Sequence, residues 1–169
     1  MAETASARRL DTPDGPFTVL TAAGAVIAAG WTDSEERLLG LVHPSLRPAA
    51  LGAEAAGDVA ELAAAAVAAY YAGDFWACSA VPVRQFSGPF RQQVWEVLRQ
   101  VGPGETLSYT ALAALAGRPA AVRAAAGACS HNAAPLFVPC HRIVTASGGL
   151  GGFAYGTALK ASLLAREKR

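Results

Sequence analysis

The sequence predicts an α+β fold in two parts, and three observations carry it. Short apolar and β-branched runs flank a turn dipeptide before residue 32, helical stripes of apolar residues follow, and two short helices around a glycine stand near residue 117. At 169 residues the chain suits one ordinary domain or two small ones sharing an interface. The expected division is residues 1–85, an N-terminal α+β structural domain with antiparallel strands, and 86–169, a helical C-terminal domain containing a helix-turn-helix.

Phe17–Leu20 and Ala25–Trp31 read as strands of a hairpin turning at Ala23-Gly24. Asp33 followed by Glu36 is a capping-box pattern that opens a short helix through Leu41. Residues 42–53, with Pro44, Pro48 and Gly52, read as loop. Glu54–Tyr71 is helical, with Val59, Leu62, Val67 and Tyr70 as its stripe and Gly73 as its stop. Ala80–Val83 is a candidate last strand before the linker 84–89. Ser87 is placed to cap the next helix, whose Phe90, Val94, Leu98 and Val101 make one face and which stops at Gly102-Pro103-Gly104. Ser108 caps Tyr109–Ala116, Gly117 closes it, and Pro119 stands at the first position of a helix running to about Ala128.

Composition bounds the functional classes. An apolar content of 53% against 16% charged describes a globular protein able to bury a core, although alanine inflates the first figure. No apolar signal region follows Met1–Arg9, and the run Ala60–Tyr71 is too short for a membrane span and holds Glu61, so a cytoplasmic protein with no membrane partner is expected. Cys78, Cys129 and Cys140 should then be reduced thiols. His43, His131 and His141 do not combine with them at a zinc spacing, and neither a metal nor a cofactor is expected. Charge is unevenly spread: residues 1–89 hold 5 Lys+Arg against 10 Asp+Glu, and residues 90–169 hold 9 against 3. Such polarity suits a polyanion on the second half, and suits equally an uneven solvated surface.

The second helix of the pair, Ala120–Ala128, carries one long polar side chain, Arg123. A major-groove reader presents several. A bare helix can instead press into a narrow groove without reading sequence; an Ala-rich buried helix with one surface arginine fits the same residues. Pro139-Cys140-His141-Arg142 lies between the apolar runs Leu136–Val138 and Ile143-Val144, so the thiol sits at the end of a buried element. A cysteine nucleophile needs a base and positive charge close by, which His141 and Arg142 could supply. On an extended chain neighbouring side chains diverge, so the imidazole would act through a water. A Cys-His pair alone is also what an inert buried thiol looks like.

Pro139-Cys140-His141-Arg142-Ile143-Val144, with Asn132 eight residues before the cysteine, resembles the active-site signature of the O6-alkylguanine-DNA alkyltransferases, the methylated-DNA–protein-cysteine methyltransferases. The resemblance runs from Phe90 to about Glu167. It takes in Phe90-Arg91-Gln92-Gln93-Val94-Trp95, Gly104-Glu105-Thr106, Ser108-Tyr109, Ala113–Gly117, Arg123 and Lys160, and more loosely Pro13–Phe17. It implies a ribonuclease H-like N-terminal domain and direct-reversal repair of duplex DNA. Cys140 would take the alkyl group from O6-alkylguanine, and more weakly from O4-alkylthymine, once and irreversibly.

The same resemblance implies residue roles. His141 takes the thiol proton through water, Glu167 holds the imidazole, and Asn132 ties the helix-turn-helix to the active-site turn. Arg123 fills the stack left by the flipped nucleotide. Tyr109 crowds the target phosphate and faces guanine N3. Ala121, Ala124, Ala128 and Ser130 meet the DNA beside Arg123. The pocket would be lined by Pro139, Ile143, Phe153, Ala154, Tyr155 and Lys160. The carbonyls of Cys140 and Ile143 would accept from the exocyclic amine, and the Ala154 N–H would face O6. Three residues depart from the family pattern: Cys129 for a longer apolar side chain, Tyr155 for glycine, and Ala133 for proline. The implied partner is alkylated double-stranded DNA bound by a monomer, with cooperativity on DNA left open. The alternatives are an alkyltransferase-like protein that binds lesions without transfer, a helix-turn-helix regulator, and a cysteine hydrolase.

Overall fold

The computed structural model describes residues 4–52 and 58–168. The chain divides into two compact units, Met1–Phe86 and Ser87–Arg169. The first holds a four-stranded sheet ordered β3-β2-β1-β4. Strands β1 (Thr4–Thr12), β2 (Gly15–Ala22) and β3 (Ala25–Gly30) form an antiparallel meander, and β4 (Ala50–Gly52) pairs parallel with β1. The hairpin at Ala23-Gly24 is present, with φ of 51° and 75°, the left-handed pair that matches strand twist. From Phe17 onward β2 is buried at every position, and its sequence there, Phe-Thr-Val-Leu-Thr-Ala, is mostly apolar or β-branched. The strand β1, Thr-Ala-Ser-Ala-Arg-Arg-Leu-Asp-Thr, has no such run. Backbone pairing with β2 from Ser6↔Thr21 to Thr12↔Gly15 specifies it, a tertiary cause that local pattern cannot report.

Four expectations in this unit are corrected. The cap of α1 (Glu35–Leu41) is Ser34, whose hydroxyl accepts from Arg37 N–H at 3.1 Å, while Asp33 faces Arg9 at 3.6 Å. The loop 42–53 contains a 3-10 turn, Pro44–Leu46, and β4. In α2 (Asp58–Tyr71), Leu62 is exposed and the buried residues are Ala60, Ala63, Ala64, Ala66, Val67 and Tyr70, mostly alanines that let the helix approach the sheet; the expected start at Glu54 lies outside the described residues. In place of a strand at Ala80–Val83 there is a 3-10 turn, Ala77–Ala80, followed by a single parallel bridge from Val83 to Val26.

The second unit is helical around one short parallel pair. Helix α3 (Pro89–Leu98) buries Val94 and Leu98. Its cap is Gly88, not Ser87, because Pro89 already occupies the first helical position; the Ser87 hydroxyl accepts from Arg91 instead. Ser108 does cap α4 (Tyr109–Leu115), accepting from Ala111 N–H at 3.0 Å. Pro119 lies in the turn that closes on Ala121 N–H→Arg118 O at 2.9 Å, so α5 runs Val122–Ser130, later at both ends than expected. Strands β5 (Leu107–Ser108) and β6 (Ile143–Val144) then tie the start of α4 to the segment just after Cys140. Helix α6 (Thr157–Glu167) closes the unit, and its buried residues are Lys160, Leu163 and Glu167, one face at i, i+3 and i+7. Among the described residues no helix is long and apolar enough to cross a membrane.

Candidate active site

Cys140 opens a 3-10 turn, Cys140–Arg142, held between the buried run Leu136–Val138 and β6. The extended geometry expected here is replaced by this tighter turn. Asn132, on the turn after α5, fixes it. Its amide Nδ2 donates to Val138 O at 2.8 Å and its Oδ1 accepts from Ala134 N–H at 3.1 Å. The backbone N–H of Cys140 meets the same Val138 carbonyl at 2.8 Å. Burial pushes the Cys140 thiol up, while a hydrogen bond from Asn132 and the charge of Lys160 draw it down; the balance is upward, so the resting group is a thiol.

Behind the cysteine lies a buried ionic triad. His141 Nε2 stands 2.8 Å from Glu167 Oε1. Arg142 forks onto the same carboxylate, Nε to Oε2 at 3.0 Å and Nη2 to Oε1 at 2.8 Å, and its Nη1 donates to Val101 O at 2.7 Å. Burial alone would raise the Glu167 carboxyl, but the hydrogen bonds from His141 and Arg142 outweigh it and hold the group at about 2. Burial pushes His141 below its ordinary value, more than Glu167 pushes it up. The imidazole is therefore neutral. An ionised carboxylate only accepts, so Nε2 carries the proton and the lone pair lies on Nδ1. Nδ1 is buried and takes no hydrogen bond among the described residues. Arg142, expected to lend its charge to the thiol, is instead committed to Glu167 and Val101.

In front of the cysteine is a cavity of about 440 Å³, large enough for a purine base. The α5 residues Ala126, Gly127, Cys129 and Ser130 form one wall, and Phe153, Ala154 and Tyr155 contribute another. Tyr109, Asn132, Pro135 and Gly152 complete it around Cys140, which is 9% exposed. Burial raises the Tyr109 phenol, keeping it a hydrogen-bond donor. A Cβ added at Gly151 would lie 2.8 Å from the Tyr109 oxygen, and Gly151 has φ 72°, so glycine is required there for both reasons. Lys160 is fully buried, with Nζ 2.6 Å from Ile143 O and 6.0 Å from the Tyr109 ring centroid. Among the described residues no group of three or more His, Cys, Asp or Glu could hold a metal ion.

Comparisons with known proteins meet this geometry. Residues 89–169 match the family model of the 6-O-methylguanine DNA methyltransferase, DNA binding domain. The solved O6-methylguanine methyltransferase of Mycobacterium tuberculosis is 30% identical, with 97% of this chain and 93% of that chain covered and a TM-score of 0.75. The chain belongs to the O6-methylguanine DNA methyltransferase family. A structure of the mycobacterial protein in complex with DNA aligns at 30% identity over 96% of this chain and 93% of that one, with a TM-score of 0.78. The human methylated-DNA–protein-cysteine methyltransferase is 48% identical over 86 residues, 51% of this chain and 42% of the human protein. Matched segments span 22% of one curated relative and 60% of another.

Within this methyltransferase-family site the expected residues fall into three groups. Cys140, Asn132, Tyr109, Phe153, Ala154, Tyr155 and Ser130 gather at the cavity, while His141 and Glu167 stand behind it. Pro139, Ile143 and Lys160 do not line it: Ile143 is buried in β6 and its carbonyl, expected to face the base, receives Lys160. On α5, Arg123 and Ala124 are exposed and Ala121 half-buried, but Ala128 is buried and cannot meet DNA; its carbonyl accepts from Trp95 Nε1 at 2.9 Å. Cys129, which departs from the longer apolar side chain of the family pattern, lines the cavity, and burial pushes its thiol up to about 12. Ala126 and Gly127 were not expected in the cavity wall, and the 3.6-residue period from Cys129 and Ser130 was the clue to them.

Proposed function

We propose that this protein repairs duplex DNA by transferring the alkyl group of O6-alkylguanine, and more weakly of O4-alkylthymine, to Cys140 of its own chain, once per molecule. The reading is carried by the buried thiol that opens onto a base-sized cavity beside a neutral, Glu167-held imidazole. O6 of guanine is inside the duplex, so the nucleotide must leave the stack to reach the thiol. Arg123, exposed near the start of α5, takes its place, and the Ala-rich surface of α5 allows close approach in the minor groove.

In the transfer step the thiol proton passes through a water to His141 Nδ1. A bond forms between Cys140 Sγ and the alkyl carbon, the carbon–O6 bond breaks, and its electron pair remains on guanine. The Tyr109 hydroxyl donates to N3 and the Ala154 N–H to O6, stabilising the charge that gathers there. The thioether product has no leaving group that an ordinary thiol could displace, so the protein does not turn over. Both shifts, thiol up and imidazole down, keep the resting pair uncharged until a base is bound. No cofactor is needed, and the protein acts as a cytoplasmic monomer.

Excess duplex carrying methyl-labelled O6-methylguanine tests this reading. Label is expected on the protein up to one methyl per molecule and no further. Continued release of product would make the protein a hydrolase, and tight lesion binding without label would make it a lesion sensor.

Tyr155 bears on adduct size. It stands in the cavity wall with Phe153, the two ring centroids 6.0 Å apart, where a glycine would leave open space. Transfer from O6-benzylguanine in duplex DNA is expected to be about 10-fold slower than from O6-methylguanine, and Tyr155→Gly to close the gap. Single-turnover rates check this, and equal rates for the two adducts in the unaltered protein would contradict it.

A further inference from the structure

The end of α5 gathers three donors on one carbonyl. The Gly127 oxygen receives the His131 backbone N–H at 3.0 Å, the His131 imidazole Nδ1 at 2.8 Å and the Ser130 hydroxyl at 3.0 Å. A carbonyl only accepts, so Nδ1 carries the proton and the ring is held in one tautomer. Across the ring, Nε2 makes no hydrogen bond among the described residues, and the residue is exposed.

Position gives this arrangement its meaning. Residues 123, 127 and 131 form one row at i, i+4 and i+8 along α5 and its cap. Arg123 is exposed at the head of the row, Gly127 lines the cavity midway, and His131 is exposed at the foot, next to the cavity-lining Ser130. The C-terminal end of a helix carries partial negative charge and by itself repels a phosphate. An imidazole that donates to the last carbonyl through one nitrogen covers that negative end, and its other nitrogen, facing solvent, donates to an anion once it too carries a proton.

We propose that His131 is a further DNA-contacting residue, its Nε2 meeting a backbone phosphate beside the cavity. The contact needs a proton on each ring nitrogen, Nδ1–H on Gly127 and Nε2–H on the phosphate. The helix is then held against the duplex at both ends, by Arg123 and by His131. This rests on the reading of duplex DNA as the partner, and it makes His131 a sequence-independent grip rather than a reader of bases.

The test is binding of two unrelated, unmodified duplexes over a series of salt concentrations by the full chain and by His131→Ala, His131→Asn and His131→Arg. Ala and Asn are expected to bind about 3- to 10-fold more weakly and equally so on both sequences. The slope of log affinity against log salt should become shallower by about 1, and Arg should restore both. Asn can still cap the Gly127 carbonyl but is too short to reach a phosphate. Wild-type binding by the Asn variant, or an unchanged salt slope in the Ala variant, would overturn the contact. Methyl transfer is read separately: a chain that binds duplex with its full salt slope and transfers nothing refutes the alkyl-acceptor reading and leaves the His131 contact standing.

Discussion

Glu167→Ala is expected to destabilise the protein by about 3–5 kcal/mol and to slow alkyl transfer by about 100-fold. The carboxylate is buried among three charge-assisted hydrogen bonds, one from His141 and two from Arg142. Removing it leaves the Arg142 guanidinium buried without its carboxylate, which is the costly way to break a buried ion pair. It also frees the imidazole to place its proton on Nδ1, where the base must have a lone pair. Glu167→Gln keeps the shape and should lose less stability than Ala while losing transfer comparably. Denaturant unfolding and single-turnover kinetics check the pair of effects. An alanine variant within about 1 kcal/mol of the parent that also transfers at the parent rate would remove the triad from the account.

The same triad makes stability acid-sensitive in a defined window. Glu167 is held at about 2 in the folded chain against 4.5 as its ordinary value, so its contribution is complete above 4.5 and is lost as pH falls towards 2. His141 is held below 6.5 when folded, so below 6.5 the unfolded chain takes up a proton that the folded chain refuses. Both terms weaken the fold as pH falls. Stability should begin to decline below about 6.5 and decline more steeply below about 4.5. In Glu167→Ala the steep lower limb should flatten.

Asn132→Ala is expected to cost about 2–3 kcal/mol and to move the pH profile of transfer to higher pH. The side chain bridges Val138 O and Ala134 N–H, so truncation leaves a buried backbone donor and weakens the turn that carries Cys140. Its hydrogen bond to the sulfur is the leading influence that draws the thiol down against burial. Without it the thiol rises further, and a higher pH is needed for the same fraction of thiolate. Rates measured across pH with O6-methylguanine duplex distinguish this from a loss of stability alone. A slower variant with an unshifted profile would reduce Asn132 to a structural brace.

Much of the site was legible in the sequence because its parts are local. The Ser108 cap, Gly117 and the Asn132–Cys140 spacing each report their own geometry over a few residues. What escaped detection depended on distance along the chain. Strand β1 exists through pairing with β2, and the two-residue β5–β6 pair joins segments 36 residues apart, too short for any periodicity. Helix α6 was hidden by its own chemistry: its buried face carries Lys160 and Glu167, so the apolar stripe is broken where the site needs charge. Arg142 was misjudged for the same reason, since its partners Glu167 and Val101 come from opposite ends of the second unit. Pro139, Ile143 and Lys160 neighbour the cavity residues in sequence or hydrogen bonding, yet none lines it: Pro139 and Ile143 flank the 3-10 turn and Lys160 lies on the buried face of α6.

The central claim is that Cys140 becomes a stable thioether. The most direct measurement is the intact mass of the protein after incubation with duplex DNA containing one O6-methylguanine, followed by peptide mapping. The account predicts a gain of one methylene per molecule, located on Cys140, and no gain in Cys140→Ala although that variant still binds the duplex. An unchanged mass in a protein that binds the lesion, or a methyl group on Cys129 in place of Cys140, would contradict it.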